Sequence, residues 1–252
     1  MSELVGCEPL SAEGTGDAAA IGALVLHGFT GCPQSMRPLA LELSGAGYTV
    51  EMPLLPGHGT TVDDMITTGW GDWTGAAEAA YASLAARCDK VVVAGLSMGG
   101  ALTAWLGTRH QEIAGLVCIN PIVDVGQDLV DLAAQMLDAG TDRIDAVGGD
   151  IADPESEEQA YSATPLGPLL SLAEGVAALR DDLANVTSPL LLLNSPQDHL
   201  VPPASSDLLA GAVSGPVERV SLERSYHVAT IDYDAPLIAG RTLSFVAQVT
   251  AS

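Results

Sequence analysis

Apolar residues along the chain follow two patterns. Four short unbroken runs, Ala23-Leu24-Val25-Leu26, Val91-Val92-Val93-Ala94, Leu116-Val117-Cys118-Ile119 and Leu190-Leu191-Leu192-Leu193, recur at wide intervals. Runs this short, without polar alternation, predict strands buried on both faces, as in a parallel sheet covered by helices. Tyr48-Thr49-Val50-Glu51-Met52 predicts a further strand, and the alternating stretch 217–222 predicts an edge strand. The second pattern is helical. Met36, Leu39, Leu43 and Ala46 share one face of a helix predicted over 35–46, which stops at Gly47. Further helices are predicted over about 73–87, directly behind Gly100, and over about 235–249. Residues 1–20 are polar and read as a short lead-in strand and turn. Strands alternating with helices predict an α/β fold, a doubly wound and mostly parallel sheet.

One segment breaks the rhythm. Residues 124–188 carry no strand pattern. Leu129, Leu132, Ala133, Met136 and Leu137 lie at helical spacing, and so do Leu169, Leu172, Val176 and Leu179. The stretch 138–158 between them is polar. This segment holds 14 of the chain's 32 acidic residues, opposed only by Arg143 and Arg180. The pattern predicts a helical cap inserted at 124–188 into a core formed by 1–123 and 189–252. Its apolar face would lie over the C-terminal ends of the strands, where doubly wound sheets bind ligands. A solvated helical excursion away from those ends fits the same pattern.

Composition narrows the partners. The net charge is −23, with one lysine and eight arginines among 252 residues, which argues against nucleic acid and anionic membrane surfaces. Adaptation to high internal salt and a genome rich in Ala, Gly and Asp both fit that balance. No apolar run approaches a membrane span, so no integral membrane association is expected. Cys7, Cys32, Cys88 and Cys118 are widely spaced, with no C-x-x-C. No metal site is expected from them; reduced thiols and a cytoplasmic location are. Leu4-Val5-Gly6-Cys7 looks like a lipoprotein cleavage box, but no basic segment or apolar core precedes it, so it reads as coincidence. The sequence sets no oligomeric state.

The chemistry centres on Gly95-Leu96-Ser97-Met98-Gly99-Gly100, which joins an apolar strand to a helix. That order is a nucleophile elbow. A serine hydroxyl needs a base, and the base needs an orienting carboxylate, in chain order Ser, acid, His for this architecture. Of five histidines, His227 lies just beyond the last strand, where that order needs it. His27 reads as loop shaping, His58 lies in a Pro/Gly loop, His110 is far from the strand tops, and His199 points away from the neighbouring acid. Asp198 follows a buried strand in a Pro-rich loop and is the preferred acid. Asp124, one strand earlier, is the rival, and Asp232 reads as a surface or capping carboxylate. The backbone N–H groups of Phe29 and Met98 are the expected oxyanion donors. Phe29, Met136, Leu169, Val201 and Val228 are the expected substrate-pocket residues.

These motifs, with His27-Gly28-Phe29-Thr30-Gly31, Leu54-Leu55-Pro56-Gly57-His58-Gly59-Thr60 and Trp70-x-x-Trp73, carry a resemblance. The chain resembles the α/β-hydrolase superfamily, and within it the bacterial carboxylesterase and monoacylglycerol lipase group. The likeness runs from about residue 20 to the end and is weakest in the cap. It implies hydrolysis of short or medium carboxylic esters, or of monoacylglycerols, without cofactor; the acidic outer face of the cap adds the expectation that the ester is neutral. An acyltransferase or a cofactor-free perhydrolase would use the same three groups. A non-catalytic ligand receptor on this fold would not need all of them.

Overall fold

The computed structural model describes residues 4–146 and 149–251. Val147 and Gly148, in the acidic, glycine-rich part of the insertion, and the outermost residues of the lead-in and the closing end lie outside that range. In chain order the elements are β1 (Leu10–Ala12), β2 (Ile21–Leu26), α1 (Arg37–Gly45), β3 (Thr49–Met52), α2 (Val62–Ile66), α3 (Trp70–Ala85), β4 (Lys90–Leu96), α4 (Met98–Arg109) and β5 (Gly115–Ile119). They continue with α5 (Gln127–Asp138), β6 (Arg143–Asp145), β7 (Ala163–Pro165), α6 (Leu166–Asp182), β8 (Leu190–Asn194), α7 (Pro203–Ala212), β9 (Val217–Ser221) and α8 (Ala235–Thr250).

Seven strands form one sheet in the order β1-β3-β2-β4-β5-β8-β9. Only β1 runs antiparallel to its neighbour. The unbroken apolar runs explain the layering, because alternate side chains of a strand point to opposite faces. Leu24, Val93, Leu116 and Leu190 pack on one face against Leu84 of α3 and Leu102 of α4. Val25, Val92, Val117 and Leu191 pack on the other against Leu43 of α1 and Phe245 of α8. The central strands β2, β4, β5 and β8 thus end together, and the loops that follow them meet above the sheet.

The insertion between β5 and β8 departs from its sequence reading in two ways. It contains a two-stranded antiparallel pair, β6 with β7. Three-residue strands such as Arg143-Ile144-Asp145 are too short to show a period. Second, the stripe on α5 is largely uncovered: Ala133 is buried, whereas Leu129, Leu132 and Leu137 are exposed. The stripe on α6 is covered, with Leu172, Val176 and Leu179 joining the main core. Helix α7 was not expected from the pattern. Among the described residues, no helix is long and apolar enough to cross a membrane.

The expectation of four reduced thiols is corrected. Cys7 and Cys32 form a disulfide, with Cα atoms 5.2 Å apart across 25 positions of sequence, while Cys88 and Cys118 are free. Nothing in the spacing announces the pair; the fold brings the lead-in against the loop after β2. Closing a loop of this size removes about 3.5 kcal/mol of unfolded-chain freedom. The cytoplasmic expectation, which rested on reduced thiols, loses that support.

Candidate active site

Strand β4 runs directly into Ser97, and α4 begins at the next residue. Ser97 has φ 56° and ψ −116°, outside the regions that L side chains favour. The glycines around it are required by close approach. A Cβ on Gly95 would lie 2.1 Å from the Gly99 carbonyl oxygen, and one on Gly99 would lie 2.1 Å from the Leu26 carbonyl oxygen. The same tightness presses the start of α4 against the end of β2. A Cβ on Gly28 would stand 3.5 Å from the Ser97 Cβ, so the loop carrying Phe29 lies beside the serine.

Asp198 and His227 come together from the loops after β8 and β9. His227 Nδ1–H donates to Asp198 Oδ2 at 2.7 Å, with both side chains nearly fully buried. Asp198 Oδ1 accepts from the backbone N–H groups of Leu200 (2.9 Å) and Val201 (2.7 Å). The carboxylate is therefore clamped on both oxygens, and the proton on Nδ1 leaves Nε2 as the free base. Ser97 and His227 line one cavity of ≈ 260 Å³. Asp124 is elsewhere, in an exposed ion pair with Arg180.

The other histidines are engaged. His110 lies between Glu78 and Glu112. His27 Nε2 accepts from Leu55 N at 3.1 Å, so its Nδ1 carries the proton and donates to the Gly28 carbonyl at 2.9 Å. His58 donates to the Pro56 carbonyl, and its ring meets His27, Phe29 and Trp73 edge-on. These two buried rings thus brace the loop that carries Phe29. Burial holds His27 down to about 3, with His58 adding to the effect, and burial holds His58 down to about 4. Both folded values lie below the unfolded one, so their stabilising effect is complete above about pH 6.5 and is lost as pH falls. Stability should decline by up to about 1.4 kcal/mol per pH unit for each ring between pH 6.5 and about 4. Urea midpoints measured from about pH 7 down to about pH 5 test this, because exposed carboxylates change little there. His58→Asn should flatten the slope by about one proton; an unchanged slope would mean that the ring is not held neutral.

Sequence reasoning missed several residues here. Asn120, at φ 42°, directly follows β5 and ties three loops together. Its Nδ2 donates to the His227 carbonyl at 2.8 Å, and its Oδ1 accepts from Ser195 N at 2.7 Å. An Asn closing a buried apolar strand was the available signal. Of the two readings of Asp232, surface or capping carboxylate, the structure supports the second. It is buried and accepts from the backbone N–H groups of Ala152, Asp153, Tyr226 and Tyr233. Glu158 lines the cavity together with Ser97 and His227. Burial pushes its carboxyl above the usual range, and the nearby His227 pulls the other way. Tyr161 also lines the cavity, and its hydroxyl accepts from Thr60 N and donates to the Gly57 carbonyl. Glu158 sits in the polar run and Tyr161 just past it, and neither gave a signal.

Of the expected pocket residues, Phe29, Leu169 and Val201 form part of the wall, joined by Leu129, Ile144 and Leu172. Met136 and Val228 do not. Met136 packs into the small cluster of Ala133, Leu166 and Leu169, and Val228 is turned into the core with Leu222 and Ile238. Helix rotation and a tight turn decide those directions, and spacing reports neither. The described residues contain no cluster of three His, Cys, Asp or Glu placed to hold a metal ion.

The chain is 43% identical over 248 residues to a thermostable monoacylglycerol lipase of Bacillus sp. (strain H-257), covering 97% of this chain and 96% of the relative. It is 26% identical over 228 residues to a carboxylesterase of Bacillus subtilis (strain 168), covering 90% and 92%. A solved structure from work on LipS and LipT, two metagenome-derived lipolytic enzymes, superposes with a TM-score of 0.91 at 40% identity, covering 98% of this chain and all of that one (100%). The Paleococcus ferrophilus monoacylglycerol lipase shares the fold, with a TM-score of 0.77 at 16% identity over 96% and 100% of the two chains. The model of the Alpha/beta hydrolase family matches residues 23–239, and with the elbow, the sheet order and these relatives it follows that this chain belongs to the alpha/beta hydrolase family.

Proposed function

We propose that the protein hydrolyses monoacylglycerols and related neutral esters of short-to-medium acyl chains through an acyl-enzyme on Ser97. The observation that carries this reading is the Asp198–His227 pair at 2.7 Å opening, with Ser97, onto a largely apolar cavity that also holds the Glu158 carboxyl. Ser97 Oγ attacks the ester carbonyl while His227 Nε2 takes its proton. Asp198 holds the imidazole and stabilises its cation. The N–H groups of Met98, at the start of α4, and Phe29 receive the oxyanion. His227 then protonates the leaving alcohol and activates the water that frees the acid.

Residues 124–188 act as the cap in this reading. They supply Leu129, Leu169 and Leu172 for the acyl chain and Glu158 for the alcohol. Its carboxyl oxygens accept hydrogen bonds, which suits the free hydroxyls of a glycerol ester. The substrate is a neutral small molecule, and the carboxylate-rich surface keeps nucleic acid away. Glycerol release from 1- and 2-monoacylglycerols by wild type, and its absence in Ser97→Ala, tests the activity. Glu158→Leu should lower kcat/KM on monoacylglycerol by about 10-fold, through one or two lost hydrogen bonds, and change a p-nitrophenyl ester far less. Equal losses on both substrates would remove Glu158 from the alcohol site.

A further inference from the structure

The cap does more than roof the cavity: one of its carboxylates is bonded to the loops that carry the acid and the base. We propose that Asp150 is a positioning residue that fixes the Asp198–His227 geometry, an inference that rests on the triad reading above. Asp150 Oδ2 accepts from His227 N at 3.1 Å and from His199 N at 2.9 Å. Its Oδ1 faces His199 Nδ1 at 2.8 Å, and its backbone carbonyl accepts from Val228 N at 3.0 Å. The carboxylate thus holds the backbone of the base itself and of the residue after the acid. Its side chain is 12% exposed, and the exposed His199 ring lies against it. Asp232 makes the reciprocal bonds. Its Oδ2 accepts from Ala152 N at 2.8 Å and Tyr226 N at 2.9 Å, so segment 150–153 and the His227 loop are tied in both directions.

The physical consequence is registry. Asp198 and His227 stand on loops from two different strands, and their hydrogen bond survives only if those loops keep their spacing. Charge-assisted bonds from one carboxylate to both loops set that spacing more firmly than neutral bonds would. A shift of about 1 Å between reacting groups can cost on the order of 10²-fold in rate. Asp150 does not touch the substrate; it acts through His227.

The experiment compares Asp150→Ala, Asp150→Asn and, as a control in the same stretch, the exposed Glu155→Ala. Three readouts are taken: kcat and KM on p-nitrophenyl butyrate, the low-field NMR resonance of the His227 Nδ1 proton, and the unfolding midpoint. Asp150→Ala should lower kcat by up to about 10²-fold with KM little changed, and should broaden or remove the low-field resonance. Asp150→Asn should restore most of both. Its amide oxygen can take the two backbone N–H groups while its NH2 faces the His199 ring. Glu155→Ala should match wild type. If Asp150→Ala does not fold, Asp150→Ser, whose hydroxyl is too short to span both loops, takes its place and is measured by the same three readouts. A folded Asp150→Ala or Asp150→Ser with wild-type kcat, or one with lower stability but an intact resonance and kcat, overturns the proposal. Failure of the triad reading is recognised separately, because Ser97→Ala would then still turn over ester.

Discussion

Fluorophosphonate treatment is expected to add one probe to each chain, on Ser97, and to stop ester hydrolysis; Ser97→Ala is expected to lower kcat by about 10⁶-fold. The expectation follows from how the elbow is built. Ser97 holds a positive φ because β4 must turn into α4 within one residue. The glycines at 95 and 99 allow the backbone approach that makes this turn. The hydroxyl thereby faces the cavity that His227 also lines. Removing it leaves water to attack without a positioned nucleophile, and only oxyanion stabilisation and binding remain. Intact mass followed by peptide mapping checks the label. A probe found on another residue, or turnover that persists in Ser97→Ala, would sink the assignment of the nucleophile.

Asp198→Asn is expected to fold normally and to lose about 10³–10⁴-fold in kcat. The hydrogen bonds specify why. Leu200 N and Val201 N donate to Oδ1, so the amide oxygen of an Asn must stay there. Its NH2 is then forced into the Oδ2 position, 2.7 Å from His227 Nδ1, where it donates. The imidazole can accept only by moving its own proton to Nε2. That is the tautomer that cannot take the serine proton, and the imidazolium also loses its counter-charge. Asp124→Asn should change kcat by less than about 3-fold, because its exposed pair with Arg180 is worth at most about 1 kcal/mol. Steady-state kinetics and thermal unfolding of both variants separate the two carboxylates. If the two trade effects, the acid stands at the end of β5 instead.

Much of the fold was legible because its signals are local. An unbroken apolar run fixes a strand buried on both faces whatever its neighbours are. A glycine at each side of Ser97 marks a turn that only glycine permits. Their order along the chain then leaves few right-handed ways to connect a parallel sheet. The same locality explains why the strand ends at Ser97, Asp198 and His227 could be singled out. Ser97 and Asp198 follow strands whose apolar pattern is plain, His227 follows the alternating edge strand, and parallel strands deliver such residues to one edge of the sheet.

What the tertiary structure alone decided involves groups that look alike in sequence and differ only in what surrounds them. Asp124 and Asp198 both follow buried strands, yet Arg180 stands beside one and His227 beside the other. Asp150 and Glu158 belong to one polar run, but one tethers two loops and the other faces the cavity. Cys7 meets Cys32, and Asn120 meets His227, across 25 and 107 positions of chain. The α5 stripe has the helical period but is covered only in part, because period sets which residues share a face and only packing sets what that face meets. Polar and charged groups take their roles from partners brought in by the fold, and those distances are carried by the sum of the packing rather than by any short stretch of chain.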